Sequence, residues 1–182
     1  MAGPALTTGE RGLPDQPASD DLIDSILGIG PGHKLHALRR RRPEALRHAE
    51  GAFRELLLPE DPGGLSRAER AALALRVALR DGDAALAARY RGLLEAAGGG
   101  ALAAAAEAPG TPEGEDRLAA LLRYADRVAL APESTSRADL DGLAALGLTS
   151  RDIVAATQLI AFVPYQVRVI AGLRAMLQET SR

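Results

Sequence analysis

Residues 65–94 read LSRAERAALALRVALRDGDAALAARYRGLL, and this stretch decides the fold. Ser66-Arg-Ala-Glu69 has the spacing of a capping box, in which the serine oxygen accepts a free backbone N–H and the glutamate reaches back to the cap. The following run carries Ala72, Leu73, Leu75, Val77 and Leu79. It is apolar over much of a helical circumference, so this helix belongs at the centre of a core. Asp81-Gly82-Asp83 breaks it, and a second helix resumes from Ala84 to Ala97.

Working outward, the N-terminal side reads as three more helices. The first starts at Ser19 or Asp20 and ends at the glycine-rich 28–32. The second runs from about His33 to Arg41. The third runs from Glu44 to Leu58, with Pro43 suited to its first turn. Beyond residue 97, the stretch 98–110 reads either as a frayed helix or as a linker. Thr111-Pro112 is the expected start of a long helix bearing Leu118, Leu121, Leu122, Ala125 and Val128. Ser136 caps a short helix ending at Gly147, and Thr149-Ser-Arg-Asp152 caps a last long one, with a kink expected at Pro164. No segment alternates with period two, so the fold class is all-α, an expected bundle of seven or eight helices. Residues 1–19 read as a flexible tail and 20–182 as one domain, divided into N-terminal helices (20–62) and a core (65–177).

Composition narrows the chemistry. The chain has 182 residues, 47% hydrophobic and only 3% aromatic, so its core must be packed mainly from aliphatic side chains. It has no cysteine, which excludes disulfides, thiolate metal sites and thiol catalysis within the chain. A net charge of -2 argues against the broad basic footprint of a nucleic-acid binder. The N-terminal stretch lacks the basic-then-apolar order of a signal peptide, and no unbroken apolar run approaches membrane-spanning length. The expectation is a cytoplasmic protein without a membrane partner.

The 65–94 helix-break-helix, followed by SRADLDGLAALGLTSRDIVAATQLIAFVPYQVRVIAGL, resembles the AhpD-like superfamily, which includes the carboxymuconolactone decarboxylases. The tail Phe162-x-x-Tyr165-x-x-Arg168-x-x-x-Gly172-Leu173 is similar to that family's aromatic, arginine and glycine-leucine ending, and the resemblance covers about residues 20–177. It implies an AhpD-like helical bundle that assembles as a homo-oligomer, a trimer or hexamer. For the peroxidase members it also implies a relay of a glutamate, a Cys-x-x-Cys pair and a histidine, in which thiolates do the chemistry and the other two groups handle protons. Laid on this chain, the cysteines fall at Asp83 and Leu86, the histidine at Tyr90 and the glutamate at Ala71. Every relay position has changed. The resemblance therefore implies a non-redox or re-purposed subunit, with a cysteine-bearing paralogue among its expected partners. The alternatives are a cysteine-independent enzyme of the decarboxylase type and a module that binds a small carboxylate.

Four residues are candidates for a replacement chemistry. Asp83 and Tyr90 lie seven apart on one helix face and could act as base and donor; as structural groups they are a helix cap and a packed ring. Arg168, with Tyr165 beside it, could hold a substrate carboxylate; an arginine buried in an apolar helix would otherwise need a carboxylate partner. Neither a metal nor a cofactor is expected. Asp81, Asp83 and Glu69 lack imidazole or thiolate company, Glu69 being accounted for by its cap. His33, His36 and His48 suit surface or capping positions. The run Arg39 to Arg42 complements a helix C-terminus, with phosphate binding as its sharper reading.

Overall fold

A computed structural model describes residues 21–180; the expected tail over 1–19 and the expected cap at Ser19 or Asp20 lie outside them. Among the described residues there are nine α-helices and no strand: α1 (Leu22–Leu27), α2 (Lys34–Arg39), α3 (Pro43–Leu57), α4 (Arg67–Arg80), α5 (Ala84–Ala96), α6 (Gly100–Glu107), α7 (Arg117–Leu130), α8 (Arg137–Ala145) and α9 (Ser150–Thr180). Seven of them have at least seven residues, so the all-α bundle expected from the sequence is the one observed.

Local chemistry sets most helix starts. Asp21 caps α1, accepting the Asp24 N–H at 2.9 Å. His33 caps α2 through Nδ1, 3.1 Å from the Leu35 N–H. Ser66 and Glu69 form the reciprocal box at α4, with Ser66 N–H to Glu69 Oε2 at 2.9 Å and Glu69 N–H to Ser66 Oγ at 3.2 Å. The stretch 98–110 resolves into α6 and a loop. At Gly99 a Cβ would sit 2.9 Å from the Cβ of Ala68, so only glycine lets the chain pass that close to α4.

Two expectations need correction. The helix expected from Thr111-Pro112 begins only at Arg117, capped by Asp116 at 2.9 Å from the Ala119 N–H. Gly114 takes a left-handed φ of 101°, and Arg123 donates to the carbonyls of Pro112 (3.1 Å) and Gly114 (2.5 Å), which holds the intervening residues as a loop. Helix α9 spans the long segment expected after Thr149, but it is more apolar than its interspersed Thr, Gln and Arg suggested. Its segment Ser150–Gln178 has a mean hydropathy of 1.5 in its most apolar window, enough by length and composition alone to cross a membrane. It runs unbroken through Pro164 and packs against α1, α3, α4, α7 and α8 as a core helix.

Helix α4 is the axis of the bundle, packed by α5, α6, α7 and α9. Every residue from Arg70 to Ala78 is buried. Two of these are arginines that the sequence reading passed over. Arg70 donates to the carbonyls of Leu65 (2.9 Å), Leu56 (2.9 Å) and Pro62 (3.0 Å), closing the α3–α4 loop onto the helix. Arg76, 1% exposed, forms a bidentate pair with Asp126 of α7 at 2.8 and 2.6 Å. It also donates to the carbonyls of Ala108 (2.5 Å) and Gly110 (2.6 Å), so one guanidinium holds α4, α7 and the loop after α6. Asp152, near the start of α9, reaches the Gly64 N–H at 2.8 Å, where a Cβ on Gly64 would lie 2.5 Å from its other oxygen.

Truncating Arg76 removes the buried partner of Asp126, leaving it Arg80 alone, and strands two carbonyls at once. Arg76→Ala is expected to lose about 3–5 kcal/mol of unfolding free energy in urea denaturation. Arg137→Ala, which removes an exposed pair, should leave the midpoint in place. Equal midpoints for the two variants would show that Arg76 does not clamp the core.

Candidate functional site

The α4–α5 junction turns at Gly82, whose φ of 75° is left-handed. Asp83 follows as the cap of α5, its Oδ1 accepting the Leu86 N–H at 2.9 Å. Its Oδ2 accepts Nη1 of Arg174, from α9, at 2.7 Å. Asp83 is 4% exposed. Burial pushes its carboxyl up, but the Arg174 hydrogen bond, the α5 N–H groups and the Arg174 charge together hold it below the ordinary carboxylate range. Leu86 and Ala71 are core side chains. Tyr90 is fully buried and donates its hydroxyl to Oε1 of Gln166 on α9. Burial pushes its phenol far above the ordinary tyrosine value, so it stays protonated through the neutral range.

Arg168 and Tyr165 lie elsewhere. Arg168 is exposed, which corrects the expectation of a mostly buried arginine, and it makes no ion pair among the described residues. The reason is its place on α9: the face that meets α4 and α5 carries Val163, Gln166 and Ile170, and Arg168 points away from it. Its charge acts on Asp81, whose carboxyl burial raises and Arg168 partly lowers. Tyr165 is 45% exposed and stacks on Phe162 with ring centroids 5.9 Å apart. The structure thus joins Asp83 to Arg174 and Tyr90 to Gln166, and brings neither Asp83 nor Tyr90 to Arg168 or Tyr165.

The other singled-out residues are engaged structurally. Glu69 completes its cap and also pairs with Arg117 of α7 at 2.6 Å. Arg39 bridges Asp21, at 2.7 and 3.1 Å, and Asp24, while Arg40 reaches Asp24 at 2.7 Å. The first half of the basic run therefore ties α2 to α1, while Arg41 and Arg42 are exposed. Among the described residues no cluster of His, Asp and Glu could hold a metal ion.

A cavity of about 220 Å³ opens between α1, α3, α5 and α9. Its apolar wall includes Ile23, Phe53 and Leu58; Asp21, Glu50, Arg54, Arg89 and Gln166 are its polar groups. Gln166 is 3% exposed, so the residue that receives the Tyr90 hydroxyl also borders the cavity. None of Asp83, Tyr90, Tyr165 or Arg168 lines it. Sequence reading missed Gln166, Arg54 and Arg89, although Gln166 was visible as an amide set among apolar residues of the last helix.

The depressed Asp83 carboxyl has a consequence for pH. The native state binds this proton less readily than the unfolded chain, whose aspartate titrates near about 4. The stabilisation is complete above that value and disappears as the pH falls through the lower folded one. Asp21, Glu69, Asp126 and Asp152 act in the same direction. Thermal melts followed by circular dichroism should show Tm falling below about pH 5. Asp83→Asn should start from a lower Tm and fall less steeply; an unchanged slope would mean that the Asp83–Arg174 pair contributes nothing.

No family model matches the chain, and no curated protein matches it. Solved structures do. One is an alkylhydroperoxidase AhpD core, an uncharacterized peroxidase-related protein from Ralstonia eutropha JMP134, at 21% identity and a TM-score of 0.61 over 85% of this chain and 83% of that one. Another is an uncharacterized peroxidase-related protein from Silicibacter sp. TM1040, at 22% identity and a TM-score of 0.61 over 92% and 93% of the two chains. The bundle built around α4 and the α4–α5 junction therefore has the fold of the alkylhydroperoxidase AhpD core.

Proposed function

We propose that this chain is a non-redox, re-purposed subunit with the AhpD-like fold. One observation carries the reading: all four positions that the resemblance assigns to the thiol relay are committed to structure. Asp83 is a cap and ion-pair partner, Leu86 and Ala71 are core, and Tyr90 is a buried donor to Gln166. A relay needs groups that reach a substrate and exchange protons near neutral pH. These four are enclosed, and the only ionised group among them is held by Arg174. A decarboxylase-type reading in which Arg168 grips a carboxylate for Asp83 and Tyr90 has less support, because Arg168 and Tyr165 lie on the opposite, open side of α9.

The subunit role draws on that open side. Val154, Ala161, Tyr165, Arg168 and Gly172 follow one another at spacings of seven, four, three and four, and all are exposed. A helix that presents a stripe of this period, with large apolar groups at Val154 and Tyr165, suits packing against a helix of another copy.

Two measurements test the proposal. With a dithiol reductant and an organic hydroperoxide, the purified protein should consume peroxide no faster than buffer; clear turnover would overturn the non-redox reading. Light scattering on the eluted peak should give a multiple of the 19.0 kDa chain mass, reduced by Tyr165→Asp. A monomer in both cases would remove the subunit role and leave the non-redox reading in place.

A further inference from the structure

Helix α9 is apolar enough to be a core helix along its length, yet only 44% of its most apolar window is buried in the bundle. Helices α1, α3, α4, α7 and α8 pack against it and leave one face over. On that face Val154, Gln158, Ala161, Tyr165, Arg168 and Gly172 are all exposed, at spacings of four, three, four, three and four. Exposure recurs through the whole run, so none of the packed helices crosses it. Alternation of three and four is the period at which two α-helices keep a common seam. Phe162 and Val169, which flank the seam, are apolar and half-buried.

Reversed end for end, this face complements itself about a point beside Val163. Val154 then lies opposite Gly172, and Ala161 opposite Tyr165, so each large side chain meets a small one. Gly172 offers a hollow, since a Cβ there would meet nothing within 4 Å in its own chain. The two polar residues of the seam, Gln158 and Arg168, fall opposite each other, and the amide oxygen accepts from the guanidinium. Other alignments lose this match. A parallel pair sets every residue against its own copy, with Arg168 on Arg168 and Gly172 on Gly172. Sliding the antiparallel pair by one heptad puts Arg151 on Arg168 in one direction and leaves Ala161 on Gly172 in the other. Like charges repel, and two small residues face to face leave a void.

We propose that two copies of this chain pair through α9 in antiparallel register about a two-fold axis beside Val163. Each pairing then occurs twice, as an isologous contact requires. The register rests on the subunit reading above and goes beyond it by naming which residues meet.

The chain has no cysteine, so an introduced one reports on a single position. Val154→Cys and Gly172→Cys, each oxidised alone, should stay uncrosslinked, because like positions lie about 27 Å apart along the pair. Mixed in equal amounts, the two variants should form a disulfide with each other. Gln158→Glu gives Arg168 of the other copy a carboxylate and should tighten the dimer about fivefold in analytical ultracentrifugation, whereas Gln158→Arg should weaken it by a similar factor. Circular dichroism checks that each variant keeps its helices. Self-crosslinking of either cysteine variant, absence of the mixed disulfide, or weaker or unchanged association on Gln158→Glu overturns the register and leaves the subunit reading standing. A protein that stays monomeric overturns both, including one that floats with phosphatidylglycerol vesicles, where the face would be a membrane surface.

Discussion

The rest of the structure depends on how Arg76 is accommodated inside helix α4. A charge that deep is tolerable only when its partners come to it. Asp126 supplies the opposite charge from α7, and the carbonyls of Ala108 and Gly110 take further guanidinium protons. Arg80, one turn on, shares Asp126 at 3.2 Å. These requirements fix where α7 runs and where the chain leaves α6. Arg70 imposes the same discipline at the other end of α4, where one carbonyl from the last turn of α3 and two from the loop after it close over the guanidinium. The aliphatic core supplies the bulk of the burial, and the two arginines give the poorly structured connections a single arrangement.

The α4–α5 junction shows how a helix start can keep its electrostatics when its chemistry changes. A helix N-terminus favours an anion, whether thiolate or carboxylate. Asp83 supplies one, and Arg174 gives it a counter-charge across the interface with α9. The result is a junction whose carboxylate is buried and held in an ion pair, whereas a thiol relay has to be open to substrate. On the next turns of α5, the enclosed Tyr90 hands its hydrogen bond to Gln166, and the space that remains accessible lies beyond that amide.

What could be read in the sequence was local. The capping box at Ser66 and Glu69 and the Asp-Gly break depend on residues within a few positions of each other, and the structure has both. The pairs that build the core and the candidate site span much longer separations: Arg76 with Asp126, Tyr90 with Gln166, and Asp83 with Arg174 are 50, 76 and 91 residues apart. No periodicity encodes which arginine meets which carboxylate. That is why Arg168 stood out as the charge in need of a partner, whereas Arg174, two turns further on, is the one that has it. The late start of α7 has a similar cause, since the loop before it is held by Arg123 from within the helix itself.

The distribution of tyrosines gives the molecule a built-in optical reporter. The chain has no tryptophan and three tyrosines, so its near-ultraviolet signal is tyrosine's with a minor phenylalanine component. Two of the three phenols are hydrogen-bonded to the same helix: Tyr90 to Gln166, and Tyr124 to Thr157 at 2.7 Å. Because Thr157 donates its own proton to the Ile153 carbonyl, Tyr124 is the donor in its pair. Both chromophores therefore lean on α9 from different neighbours, α5 and α7. Detachment of that one helix would free both phenols together, so the near-ultraviolet spectrum registers its seating without any label.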